Sequence, residues 1–351
     1  MSIVSKLKSL SAHFLGSAQI AVDLGTSMTR IGIYEKGIVL REPTYIGVNT
    51  KTNEYLFFGQ EAKEIYGKAP HFIHVIQPVK NAVIADFDAN VLLMEHFLQK
   101  SVFPFFLNKS FIKSKLNGYS VVPTSSTEVE QKAIQESLVK AGLSEVFLIE
   151  KPLATAFGID APLFSHTPLF IIDMGGGIIE MSIMIMGGIV TYRSIKNAGK
   201  NMDQKIINYI HLKYGVHIGE QTAEQVKIRL LSFTNEQKSA TIRGKSLENG
   251  LPKSVRVTSN DIKEALANSL NQIIDTAKEL IETVQPEIID GIVKSGIILT
   301  GDLAHVPAID SFISTDLKIP VIISENPQDA TINGILKLIS SKEHLSRVLI
   351  K

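Results

Sequence analysis

The stretch that decides the fold is LFIIDMGGGIIEMSIMIM, residues 169–186. An apolar run ends at Asp173, a run of glycines follows, and a second apolar run begins at once, which predicts a β-hairpin with a glycine-rich turn. Residues 19–34, QIAVDLGTSMTRIGIY, repeat this design with Asp23 and Gly25 at the turn. The repeat predicts two similar α/β domains with mixed sheets flanked by helices, each domain opening with a hairpin.

The chemistry of such turns points to phosphate. Glycine lets the backbone bring N–H groups close to anionic oxygens, and neighbouring hydroxyls add donors. The predicted phosphate ligands are Asp23, Gly25, Thr26 and Ser27 in the first turn and Asp173, Gly175, Gly176 and Gly177 in the second. A carboxylate beside a phosphate repels it unless a cation lies between, so Asp23 and Asp173 predict Mg²⁺ held through its waters.

Two further elements are candidates for the nucleoside. Gly301, in GIILTGD, marks a third turn where the backbone can pass close to a base or sugar. Glu224 and Lys227, within residues 219–230 (GEQTAEQVKIRL), lie one helical turn apart. They form either a surface ion pair or a helix face that presents polar groups to a ribose or base.

Composition narrows the class of protein. Of 351 residues, 44% are hydrophobic and 20% charged, which is close to the average for soluble globular chains. The net charge of +1 argues against nucleic acid as a partner, and the absence of cysteine excludes disulfides, thiolate metal sites and cysteine nucleophiles. The histidines form no paired metal-ligand motif.

The N-terminus carries an apolar stripe at helical spacing. The stripe comprises Ile3, Leu7, Leu10 and Phe14, and the first acidic residue is Asp23. This pattern favours a short basic amphipathic helix in a membrane interface; a terminal helix docked on the protein is the alternative. Lysines and serines interrupt any signal-peptide core, so we do not expect secretion.

The order of the motifs resembles the actin superfamily, and most closely its bacterial MreB branch. The colinear set is the DLGT hairpin, VVP (121–123), IEKP (149–152), the DMGGG hairpin, GEQTAEQVK and LTG, and the likeness covers about residues 19–340. The resemblance implies an actin-like fold with ATP or ADP and Mg²⁺ in an interdomain cleft. It also implies Glu224, Lys227 and Gly301 as nucleoside contacts.

The resemblance also implies an organisation and a location. We expect residues 1–18 to bind membrane, 19–150 to form the first domain with about 325–345 packing back onto it, and 151–324 to form the second. The family polymerises into protofilaments that pair, commonly antiparallel, on the inner face of the cell membrane. The expected partners are further copies of the chain, membrane lipid and paralogous bacterial actins, in a cytoplasmic, membrane-peripheral role in cell shape or motility.

A second membrane contact follows from the family's placement of a lipid-inserting loop. Residues 102–107, VFPFFL, lie at this place, and the predicted contacts are Phe103, Phe105, Phe106 and Leu107. Taken without the resemblance, the same stretch is more typical of buried core.

The sequence departs from the family where water would be activated. Where the family has a glutamate and a threonine, this chain has Lys151 and Ile178. A protonated lysine offers no acceptor to a water molecule, and isoleucine makes no hydrogen bond, so we expect no intact catalytic pair and slow hydrolysis at most. Lys151 is free instead to pair with a phosphate. The pattern resembles a divergent MreB paralogue of the kind carried by Spiroplasma.

Two alternatives stay open. In the first, the filament hydrolyses ATP normally because Glu150 or a partner subunit's group orders the water. Alternation along a strand opposes a role for Glu150, since adjacent side chains point to opposite faces. In the second, the chain is a phosphotransferase of the same fold.

The turn at Gly301 also departs from the family. Asp302 and Leu303 stand where the family has glycines, and crowding of the base by their side chains puts base recognition in question.

Overall fold

The computed structural model describes residues 18–106 and 115–350. The N-terminal stripe of Ile3, Leu7, Leu10 and Phe14 lies outside the described residues, as does Leu107. Within the described ranges, no helix combines the length and the apolar character needed to cross a bilayer.

Strands and helices alternate along the chain. The strands are β1 (Ala18–Leu24), β2 (Met28–Ile33), β3 (Gly37–Pro43), β4 (Ile46–Asn49), β5 (Glu54–Phe58), β6 (Ile73–Ile76), β7 (Val79–Lys80), β8 (Val83–Ile84), β9 (Leu116–Val122), β10 (Glu145–Glu150), β11 (Leu169–Met174), β12 (Ile179–Ile185), β13 (Gly188–Ile195), β14 (Val216–His217), β15 (Ser239–Ser246), β16 (Pro252–Thr258), β17 (Ile297–Thr300) and β18 (Val321–Ile323). The helices are α1 (Gln60–Ile65), α2 (Phe87–Ser101), α3 (Phe103–Phe106), α4 (Glu128–Lys140), α5 (Lys151–Gly158), α6 (Gly199–Tyr214), α7 (Glu220–Leu230), α8 (Ser259–Glu282), α9 (Pro286–Ser295), α10 (Ile309–Leu317), α11 (Ala330–Ser340) and α12 (Lys342–Val348). Short 3₁₀ turns cover Asp302–His305 and Pro327–Asp329.

Two five-stranded mixed sheets share one topology. The first has the order β10-β9-β1-β2-β3 and the second has the order β13-β12-β11-β17-β18. In each sheet an antiparallel three-strand meander comes first in sequence, and its first strand then pairs in parallel with a later strand. β1 and β11 are central and apolar on both faces, as strands covered on both sides must be. The predicted pair of similar α/β halves is therefore confirmed.

Two helices join the halves beneath the cleft. α5 follows β10 directly, and α11 packs against it and against β1, β2 and β3 of the first sheet. They cross at Gly158 and Gly334, where any Cβ would overlap backbone atoms of the facing helix. Thr155 and Thr331 share a buried hydrogen bond of 2.9 Å across the same crossing. This close contact fixes the first residue of α5, Lys151, relative to both sheets.

The cores follow the same division. One apolar cluster fills the half built on the second sheet, another fills the half built on the first, and a third lies around α5, α11 and the faces of β1 and β11 that they cover. At the surface, Thr127 and Glu130 have the sequence spacing of a capping box, and in the structure Thr127 caps α4 in such a box with Glu130.

Candidate functional site

The two glycine-rich turns face each other across one cleft. Gly176 lies against the side chain of Ser27, and Gly177 lies against that of Thr26, so closely that a Cβ at either glycine would overlap it. Each turn is closed in the same way: Gly25 N donates to the Met28 carbonyl over 3.1 Å, and Gly175 N donates to the Ile178 carbonyl over 3.1 Å. The turns that the sequence predicts as phosphate ligands are thus brought together.

Sequence reasoning missed two charged residues on these hairpins. Asp23 pairs across β1 and β2 with Arg30, and Asp173 occupies the matching position opposite Glu180 across β11 and β12. Both partners are buried. Each lies at the same distance along the chain after its aspartate, so strand pairing within the predicted hairpins is the signal that would have found them.

Lys151 lies between the two halves, against the second aspartate. Its Nζ is 2.5 Å from Asp173 Oδ2, and it lines the same cleft as both turns. Burial alone would lower the pKa of Lys151, but the carboxylates of Asp173 and Asp23 outweigh it and raise that pKa above its ordinary value. Burial also raises the pKa of Asp23, against the opposing effects of Lys151 and Arg30. The lysine is therefore an ammonium held among carboxylates.

This contact bears on the predicted magnesium position. A hydrated Mg²⁺ between Asp23 and Asp173 needs their oxygens as acceptors for its waters, yet an ammonium already touches one of them. In the part of the chain that the structure describes, no group of three or more His, Asp or Glu side chains could hold a metal ion. Magnesium stays a prediction, and the residues present do not fit it.

At the two positions where the resemblance implies contacts to the attacking water, the structure has Lys151 and Ile178, and neither side chain is an acceptor. Lys151 is engaged with Asp173, and Ile178 lines the cleft with an apolar side chain. Glu150, the neighbouring carboxylate, lines an adjoining depression with Thr124, Ser126 and Arg193; this depression shares Ile178 with the cleft of the glycine turns, which Glu150 itself does not line. Glu150 ends β10 and Lys151 begins α5, so the predicted strand alternation does not extend to Lys151.

Glu180 is a buried carboxyl beside this position. Its Oε1 accepts a hydrogen bond of 2.7 Å from the backbone N–H of Thr124. Burial raises the pKa of Glu180 to about 7, and Lys151 opposes that rise. The group therefore exchanges a proton near neutral pH, although only 2% of its surface is exposed.

A second cavity of about 510 Å³ adjoins the glycine turns on the side expected for the nucleoside. Such a volume suits a small-molecule ligand. Its lining includes the predicted nucleoside residues Glu224 and Lys227, together with Asp302 and Leu303. Gly301 has φ of 85°, and a Cβ there would lie 2.6 Å from the Met174 carbonyl oxygen, so the turn needs glycine.

Both predicted nucleoside side chains already have partners in the protein. Glu224 forms an ion pair of 2.9 Å with Lys63 of α1, which belongs to the opposite half. Lys227 Nζ lies 2.7 Å from Asp203 Oδ1 and donates to the Gly199 carbonyl over 2.6 Å. Despite opposing burial, Lys63 lowers the pKa of Glu224. The two residues border the cavity, but their charges are directed at the protein.

Arg30 organises the rim between the two cavities. Its guanidinium lies 3.1 Å from Asp302, 3.2 Å from Asp329 and 3.8 Å from Asp23. Arg41 binds the same Asp329 through two hydrogen bonds of 3.1 and 2.8 Å. Asp302, which the sequence suggests would crowd the base, is therefore drawn towards Arg30, and Leu303 is largely buried.

Comparison with known proteins agrees with this architecture. The family model for the MreB/Mbl protein matches residues 17–347. The chain belongs to the MreB/Mbl family. The cell shape-determining protein Mbl of Bacillus subtilis is 36% identical over 330 residues, covering 93% of this chain and 97% of Mbl.

Solved structures of related proteins give the same result for the fold. MreB5 of Spiroplasma citri bound to ADP superposes with a TM-score of 0.87 and 29% identity, covering 94% of this chain and 98% of MreB5. The same protein has been solved bound to AMPPNP. The MamK double helical filament superposes with a TM-score of 0.77 at 17% identity, covering 93% of this chain and 99% of MamK, and shows the fold alone. The predicted actin-like fold and MreB resemblance are confirmed.

In this MreB/Mbl chain, the predicted lipid-inserting loop begins as the short helix α3. Phe103 and Phe106 are partly buried and pack against the core of the first half. Phe105 is 42% exposed, and Lys36 Nζ lies 4.5 Å from the centre of its ring. Among the described residues of the loop, Phe105 is therefore the aromatic side chain available to a membrane.

Proposed function

We propose that this chain is a filament-forming MreB/Mbl protein that binds ATP or ADP in its cleft, hydrolyses ATP slowly and assembles against the inner face of the cell membrane. The observation that carries the proposal is the pair of glycine turns that meet across a cleft lined by Lys151 and Ile178, the two positions where the resemblance implies contacts to the attacking water. The turns offer backbone donors to a polyphosphate, and neither Lys151 nor Ile178 offers an acceptor to a water.

The relatives support the ligand and the assembly. MreB5 binds ADP and AMPPNP, MamK forms a double helical filament, and Mbl is a cell shape-determining protein. We extend these properties to this chain as its nucleotide, its self-association and its role in cell shape or motility. Antiparallel pairing of protofilaments and contact with paralogous actins belong to the same proposal.

Slow hydrolysis follows from the missing acceptor. Loss of general-base assistance typically costs about 10²- to 10⁴-fold in rate. Glu150 is a poor substitute because it does not line the cleft of the glycine turns. The test is phosphate release by polymerised wild-type chain and by the variant Lys151→Glu with Ile178→Thr. We expect the double variant to be faster by about 10²-fold; an unchanged rate would contradict this account of the water position.

Membrane contact rests on the N-terminal stripe and on Phe105. Each anchor is weak alone, but a filament presents many copies at once and so gains avidity. Co-sedimentation with anionic vesicles should fall when residues 1–16 are removed and Phe105→Ser is introduced. Leu212→Ser is the matched control, since Leu212 is 82% exposed on α6 and belongs to neither anchor. Undiminished binding of the first variant would refute the membrane part of the proposal.

A further inference from the structure

The cleft contains a cation supplied by the protein itself. Lys151 is the first residue of α5, and its ammonium lies 2.5 Å from Asp173, in the field of Asp23 from the other half. The side chain keeps 20% of its surface exposed, towards the cleft of the two glycine turns. An ammonium thus stands where two carboxylates and an incoming polyphosphate would meet.

The aspartates need such a cation if phosphate is to bind near them. Two carboxylates at the mouth of a phosphate site repel the ligand, and a positive charge between them removes that repulsion. Lysine is a compact point charge with several donors and is a common phosphate ligand in proteins. Arg30 lies 3.8 Å from Asp23, so each aspartate has a basic side chain of the protein beside it.

The same position is poorly suited to a divalent ion. Mg²⁺ requires near-octahedral oxygen ligands and keeps several waters, whereas Lys151 offers like charge and no acceptor. In addition, α5 cannot shift as a whole and carry Lys151 away from the aspartates. α5 is locked to α11 by the Gly158–Gly334 crossing and by the buried hydrogen bond between Thr155 and Thr331.

We propose that the ammonium of Lys151 replaces the divalent cation, so that this chain binds the polyphosphate of ATP or ADP without needing Mg²⁺. The inference rests on the proposed nucleotide binding and adds the identity of the counter-ion. It predicts that affinity for nucleotide depends on Lys151 far more than on metal.

The first test uses the full chain and no variant. Binding of ATP and of ADP is measured by calorimetry with excess Mg²⁺ and again with EDTA. We expect the two dissociation constants to agree within about threefold for each nucleotide. A loss of about tenfold or more in EDTA would overturn the inference while leaving the proposed function intact. Absence of binding under both conditions would overturn the proposed function and this inference with it.

The second test removes the ammonium. Lys151→Met should lose about tenfold or more in affinity in EDTA and regain part of it with Mg²⁺, because the freed carboxylates can then hold the ion's waters. Lys294→Met is the matched control: Lys294 forms an exposed ion pair of 2.6 Å with Asp290 on α9, and its loss should change neither value. Equal losses for Lys151→Met with and without Mg²⁺ would show an ordinary phosphate ligand and overturn the replacement of the ion.

A third test detects the protein-bound metal ion directly. The electron paramagnetic resonance spectrum of Mn²⁺, recorded with protein and ATP, distinguishes Mn²⁺ bound to ATP in solution from Mn²⁺ immobilised in the cleft. Wild-type chain should add no immobilised Mn²⁺ signal, and folded Lys151→Met, checked by its thermal melt, should add one. An immobilised signal with the wild type would refute the proposal without reference to any variant.

Discussion

Lys227 offers the sharpest test of how the nucleoside side of the cleft is built. Its ammonium lies 2.7 Å from Asp203 and 2.6 Å from the Gly199 carbonyl, and the side chains of Lys227 and Asp203 are only 8% and 4% exposed. Lys227→Met keeps an unbranched side chain of similar length and removes the charge. Asp203 would then remain as a buried carboxylate without its ion-pair partner.

The expected loss of stability can be estimated from this geometry. Two unit charges about 2.7 Å apart attract by roughly 6 kcal/mol at an effective dielectric constant of about 20. Much of this attraction only offsets desolvation, and breaking one side of a buried pair typically costs about 3–5 kcal/mol. At roughly 2 °C per kcal/mol for a chain of this size, the melting temperature should fall by about 6–10 °C.

The loss should depend on pH in a defined direction. Burial raises the pKa of Asp203, against the lowering effect of Lys227. Without the lysine that pKa rises further, so the folded variant favours the protonated carboxyl. A carboxyl whose pKa is higher in the folded state than in the unfolded state costs no stability below its unfolded-state pKa. The cost grows as pH rises from there to the folded-state pKa. The penalty of Lys227→Met should therefore be larger at pH 8 than at pH 5.

Thermal denaturation at both pH values measures the effect. The matched control is Lys227→Met combined with Asp203→Leu, which removes both charges and should recover most of the stability, since apolar replacement of a buried pair is often neutral or better. If Lys227→Met melts like the wild type at pH 8 but binds ATP weakly, the lysine serves the nucleoside directly, and our account of the ion pair is refuted.

Three further perturbations test neighbouring features. Glu180→Gln should stabilise the chain by up to about 3 kcal/mol at pH 9 and hardly at pH 4, because the pKa of Glu180 is raised to about 7 and its ionisation above that value costs folding energy; melts across this range check it. Lys63→Ala should speed release of a fluorescent ADP several-fold in stopped flow, because it breaks the ion pair of 2.9 Å with Glu224 across the cleft, and unchanged release would count against that pair as a closure contact. Gly158→Ala should destabilise by about 3 kcal/mol or more in denaturant titration through overlap at the crossing with Gly334, and a neutral result would contradict the helix crossing.

Much of the fold could be predicted because its signals are local. The repeated D-x-G hairpins predict two similar halves, and the two sheets have matching strand order. The spacing of Thr127 and Glu130 predicts the N-terminus of α4. Strand alternation is the wrong argument for Glu150 and Lys151, because β10 ends at Glu150 and α5 begins at Lys151. For the hairpins and the helix N-terminus, a pattern within a few residues determines the backbone, and the backbone determines where the side chains point.

The electrostatic partners could not be predicted because they depend on long-range packing. Glu224 is 161 residues from Lys63, and Arg30 is 272 residues from Asp302. Helical spacing shows which face a charged side chain occupies, but its partner is set by which element the tertiary fold brings opposite. Asp302 is an example: the sequence shows that its side chain replaces a glycine of the family, but not that Arg30 is its partner.

Charge at the cleft links these observations. A cleft that hydrolyses ATP needs an acceptor to orient water, while a cleft that only holds ATP needs donors and positive charge for the phosphates. Here Ile178 and Lys151 supply no acceptor, and Lys151 and Arg30 lie beside the two hairpin aspartates. The glycine turns keep a close backbone approach to phosphate. On our proposal these substitutions act in one direction: they preserve nucleotide binding and suppress turnover, so partners rather than hydrolysis would set the lifetime of the filament.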